Sequence, residues 1–214
     1  MEQIAKILIY VHALFGGIGL LSGLLAIIVK KGKTYHINSG KLFSYAMIIS
    51  SILSLIISQF PEHENLFLFL IGIFTIYLIL SGNRALRLKS SNKENADHID
   101  KTISGIMLLI SFCMLALGII GVIQKIENSI LYIFFGGIGV FMTYKDFKTY
   151  KHFKTNKHLW IKSHIGRMVG ALIASVTAFL VAGLNIGTIT IWILPTIIGT
   201  IYIIYQNRKF KVSL

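Results

Sequence analysis

Long apolar runs, almost free of charge, alternate along the chain with short polar clusters. Seven runs can be drawn: Ile4–Val29, Leu42–Phe60, Leu66–Leu86, Ile103–Ile123, Ile130–Tyr144, His164–Leu184 and Ile189–Tyr205. A helix rises ~1.5 Å per residue, so ~20 residues cover a hydrocarbon core ~30 Å thick. The first run exceeds that length and predicts a tilted or protruding helix. The fifth is the shortest. Together they predict an all-α polytopic membrane protein, a seven-transmembrane-helix bundle forming one domain over residues 1–214. The first run is too long for the apolar part of a signal peptide, and no small-residue cleavage site precedes Lys30. It is expected to remain as the first span.

Within the runs the pattern is finer. His12, Gly16, Gly19, Gly23 and Ala26 share one face of the first helix, and Gly19 and Gly23 form a G-x-x-x-G pair. Small residues allow close backbone approach in lipid, which turns His12 toward protein. Ser44, Ser51, Ser54 and Ser58 line one face of the second helix, and Ser104, Ser111 and Gly118 one face of the fourth. The sixth carries Gly166, Gly170, Ala174 and Ala178 at fourfold spacing. Pro195 interrupts the seventh and frees a carbonyl there. Tight helix packing explains each stripe taken alone.

Charge changes the picture by its placement. The net charge of +13 could suggest a nucleic-acid partner. Yet 19 of the 21 Lys and Arg fall in alternate loops and the C-terminal tail, and only Lys6 and Lys125 lie opposite. Cytoplasmic loops are the basic ones in bacterial inner-membrane proteins. The expected topology is therefore N-terminus outside and C-terminus cytoplasmic, with no nucleic-acid role. The stretch Tyr144–His158 repeats in threes with a lysine in each triplet. It predicts an extension of the fifth helix with solvated lysines that also meet anionic lipid head groups. Cys113, the single cysteine, lies inside an apolar run and predicts a packing residue.

Ionisable groups inside a membrane bundle are functional candidates. His12 is the one in the outer half of a span. A second set gathers where spans meet the cytoplasmic side: His36, Arg84, Asp97, His98, His164 and Arg167. Histidines from several helices with a carboxylate suit a metal ion or haem, which makes His36, Asp97, His98 and His164 candidate metal ligands. His12, His36, Arg84, His164 and Arg167 are candidate cofactor contacts, the arginines for an anionic group. For His36 and His164, helix capping competes with these roles. An outer grouping of His12 with Glu62, His63 and Glu64 is weaker. No H-E-x-x-H, C-x-x-C, Walker or G-x-S-x-G motif occurs, so no enzyme class is indicated.

The segments HALFGGIGLLSGLLA and KKGKTYHINSGK carry an intramembrane His, small residues, a Gly-rich bend, a second His and Gly-Lys. In that pattern (His12, Gly16, Gly23, Gly32, His36, Gly40, Lys41) the chain resembles a family of predicted bacterial integral membrane proteins, domain of unknown function 2306. SGNRALRL and WIKSHIGRMVGALIASVTAF add to the likeness, although HLWIKSHIGRM departs from the family's His-Arg-Arg-Trp-Met-like sequence. The resemblance implies a membrane location and the choice of histidines, and brings no reaction. Three functions are then open: a histidine-based metal, haem or quinone site; a small-solute or proton/ion transporter; and a membrane scaffold binding lipid or partner. Against transport, no inverted repeat and no paired broken helices are evident.

Overall fold

The structure is a computed structural model that describes residues 2–89 and 96–209. The described residues form seven long helices and no strand: α1 (Glu2–Ile28), α2 (Thr34–Ile57), α3 (Leu66–Ala85), α4 (His98–Ile123), α5 (Ser129–His152), α6 (Leu159–Ala178) and α7 (Ile189–Arg208). A 3-10 turn, Leu86–Lys89, prolongs α3, and a π-helical turn, Phe179–Gly183, prolongs α6. All seven are long and apolar enough to cross a membrane. The architecture is that of an all-α, multi-pass membrane protein.

The helices outrun their apolar runs at the lysine-rich ends. α2 begins at Thr34 rather than Leu42, α4 at His98 rather than Ile103, and α6 at Leu159 rather than His164. α5 continues to His152 rather than Tyr144. Hydropathy registers only what hydrocarbon requires, whereas the i to i−4 hydrogen-bond ladder continues into water wherever the sequence tolerates a helix. α5, the shortest run, thereby becomes a helix of 24 residues.

The chain divides into two compact units, Met1–Ile79 with Ala171–Pro195, and Leu80–Gly170 with Thr196–Leu214. Each is built on one helical hairpin, α1 with α2 in the first and α4 with α5 in the second. In the first unit the turn of residues 29–33 reverses the chain, with Gly32 at φ 75°. Gly19 and Gly23 are buried in the hairpin contact. A Cβ on Gly19 would stand 2.7 Å from Met47 Sδ, and one on Gly23 would stand 2.8 Å from Leu172 and 2.9 Å from Phe43. In the second unit Gly118 and Gly121 of α4 face α5, and Gly136 and Gly139 of α5 face α4. Gly166 of α6 differs from the expected stripe, because nothing lies within 4 Å of a Cβ built there.

Most inward-facing hydroxyls bond back to their own helix. Ser22 donates to Ile18 O, Ser44 to Gly40 O, Thr75 to Ile71 O, Ser111 to Met107 O and Thr143 to Gly139 O. Such i−4 bonds satisfy a hydroxyl in an apolar setting without lining a polar path. Ser50 and Ser104 are different, since each reaches another helix. α7 passes through Pro195, which is buried and removes the i+4 donor from the Ile191 carbonyl.

Candidate functional site

The charged residues of the second unit converge. Asp97 and Asp100 open α4, where negative charge complements the exposed N–H groups of a first turn. The Asp97 N–H donates to Asp100 Oδ2 at 3.1 Å. Arg84, at the end of α3, meets both carboxylates: its Nε donates to Asp100 Oδ1, and its Nη2 to Asp97 Oδ2 at 3.1 Å. Arg167 of α6 donates through Nη2 to Asp146 Oδ1 of α5 at 2.5 Å and to Met142 O at 2.6 Å. All three aspartates of the chain thus lie in one network with two of its four arginines.

Two hydroxyls join the halves. Ser104 Oγ donates to Asp146 Oδ2 at 2.9 Å and lies 2.9 Å from Tyr150 Oη. The Tyr150 O–H also points at Asp100 O, 3.3 Å away. Asp100, Ser104 and Asp146 are at most 3% exposed, whereas the Asp97 side chain is 39% exposed. A small cavity lies among Ser81, Arg84, Asp100, Asp146, Tyr150 and Ser163, with room for about one water molecule. Leu88, Ala96 and Phe153, with Tyr150 and Trp160 packed against them, form an apolar cluster beside it.

Chemically the arrangement can hold a proton in two ways. Ser104 has one O–H and two acceptor sites. With Asp146 ionised, Tyr150 donates to Ser104 and Ser104 donates to Asp146. With Asp146 protonated, the order reverses: Asp146 donates to Ser104, Ser104 to Tyr150, and Tyr150 to Asp100 O. Both orders use the same oxygen positions and leave every hydroxyl satisfied, so a proton can arrive or leave by transfer along the O–H···O bonds, with rotation of the O–H groups resetting the order.

The candidate histidines act differently. His12 donates from Nδ1 to Ser50 O at 2.8 Å, and Ser50 Oγ returns a bond to His12 O at 3.1 Å. His36 donates from Nδ1 to Ala26 O at 3.0 Å, in the last turn of α1, and Lys31 Nζ reaches the same carbonyl at 3.0 Å and Ile27 O as well. His164 donates from Nδ1 to Gly82 O at 2.9 Å, near the end of α3. The last carbonyls of a helix have no partner within it, and His36 and His164 supply one each. His98 is exposed. No group of three or more His, Cys, Asp or Glu that could hold a metal ion occurs among the described residues. The expected ligand Asp97 faces Arg84, and both candidate arginines face aspartates of the chain itself.

Asp146, Ser104 and Tyr150 were not expected here. Asp146 lay inside the lysine-rich stretch read as solvated, and Ser104 within a packing stripe. One signal was present: Asp146 is the lone acid in a basic segment, and with Thr143, Thr149 and Phe153 it marks a helical face that is buried. Lys145, Lys148, Lys151 and Lys154 are exposed, as the helix extension requires. No protein-family model, no curated protein and no solved structure matches the chain.

Proposed function

We propose that the protein is a proton-handling membrane transporter whose working part is the Asp146–Ser104–Tyr150 relay. The observation that carries this is the chain of contacts from Asp146 through Ser104 to Tyr150, which accommodates one hydrogen-bond order for each protonation state of Asp146. Ionisable groups held among membrane helices are costly and usually mark proton or ion paths. Buried hydroxyls that bond across helices, rather than back to their own turn, support the same role. The loop charges support a bacterial inner membrane as its place, with the N-terminus outside, the C-terminus cytoplasmic and the exposed lysines of α5 against anionic lipid head groups.

The test is proton flux into liposomes carrying the purified protein under an imposed pH gradient. Ser104→Ala removes the middle of the relay and little else. Flux is expected to fall to that of empty liposomes in Ser104→Ala and to persist in His12→Ala, whose imidazole belongs to helix packing. Flux undiminished in Ser104→Ala, or no flux from the unaltered protein under any gradient, overturns the proposal.

One observation favours a histidine-based metal, haem or quinone site instead. Donation from Nδ1 fixes the lone pair of His12 and His36 on Nε2, the arrangement of imidazoles that ligate metals. On that view the purified protein carries haem absorbance or stoichiometric zinc, iron or copper. His36→Ala should then remove it, and a colourless, metal-free, folded sample excludes metal and haem.

A further inference from the structure

The relay ends at Tyr150 on one side, and a carboxylate, Asp100, lies on the other side of the cavity. Asp100 and Asp146 both line it, together with Arg84, Tyr150 and Ser163. Each carboxylate has an arginine on one oxygen: Arg84 on Asp100 Oδ1 and Arg167 on Asp146 Oδ1. Their second oxygens take the Asp97 N–H and the Ser104 O–H. A carboxylate oxygen has two acceptor sites and can take a further donor beside bonds of this kind. The cavity has about one water's volume, and polar side chains of Arg84, Asp100, Asp146 and Tyr150 are among its lining, as a buried water needs.

We propose that this cavity is a binding site for a single water molecule, and that this water carries the proton between Asp146 and Asp100. The step is an exchange of bonds. The water accepts a proton from one carboxylic acid while donating one of its own to the other carboxylate, so it enters and leaves as H2O. Asp100 is held beside Asp97 by the Asp97 N–H and by a shared Arg84. The Asp97 side chain is partly exposed, so this is the end of the path nearer solvent. The groups facing this path are Arg84 from α3, Asp97 and Asp100 from α4, Asp146 and Tyr150 from α5, and Arg167 from α6.

This water site presupposes the proton-handling role, and one experiment separates the two. Ser163 lines the cavity and bonds only the Thr149 hydroxyl at 3.2 Å among the relay's neighbours, so it is outside the Asp146–Ser104–Tyr150 relay itself. Ser163→Val fills the space with methyl groups, while Gly105→Ala adds a methyl outside the cavity, where nothing lies within 4 Å. Proton flux is expected to be lost in Ser163→Val and kept in Gly105→Ala. Flux lost in Ser104→Ala but intact in Ser163→Val overturns the water link and leaves the relay standing. Flux insensitive to Ser104→Ala overturns the relay. Should Ser163→Val fail to fold, Ser81→Val fills the same cavity from α3, with the same outcomes expected.

Discussion

Replacing Arg167 by methionine is expected to lower stability by about 3–5 kcal/mol, because it strands the buried Asp146 charge without its counter-ion. The Arg167 and Asp146 side chains are each 4% exposed. Asp146→Leu should cost a similar amount by stranding the guanidinium. The double variant should recover much of either loss, since a buried pair can often be exchanged for apolar groups of like volume. Thermal unfolding in detergent for the two single variants and the double variant measures all three. Additive losses would show that the two side chains stabilise the fold independently. The outer pair behaves otherwise. Asp97 is partly in solvent, so Asp97→Asn should cost no more than about 1 kcal/mol.

Gly118→Ala should separate α4 from α5 and cost about 1–3 kcal/mol through overpacking. A Cβ there would stand 2.6 Å from Ile133 Cγ1 and 2.8 Å from Ile133 N. The side-chain atom could rotate away, but the backbone nitrogen cannot without moving the helix. Gly105 of the same helix supplies the control, because a Cβ there meets nothing within 4 Å. Gly105→Ala is expected to stabilise by about 0.5–1 kcal/mol, the ordinary gain from replacing glycine inside a helix. Unfolding of the two variants side by side separates close approach from helix propensity.

The number of helices and their apolar centres were legible in the sequence, because a hydrocarbon core imposes a length that composition cannot hide. The small-residue face of α1 was also legible: at Gly19 and Gly23 the α2 side chains of Met47 and Phe43 stand where a Cβ would not fit. The helix ends were not legible, since Thr34, His98 and His152 lie in water-compatible turns that hydropathy does not score. The site was half legible. Arg84, Asp97 and Arg167 stood out as charges at span ends, and they do join the network. Asp146 did not, because it sits within a triplet repeat of solvated lysines. Only packing shows that the ladder of Thr143, Asp146, Thr149 and Phe153 turns away from those lysines. An imidazole in an apolar run signals a need for a partner, and that need is met for His12 by the Ser50 main chain.

The hairpin of α1 and α2 has a consequence for how the protein enters the bilayer. Only residues 29–33 separate the two helices, and Lys31 and His36 fold back onto the last carbonyls of α1. An α1 inserted by itself would take a bare imidazole into oil. Paired with α2, that ring already has its acceptor. The two helices are therefore suited to leave the insertion machinery together as one preassembled wedge.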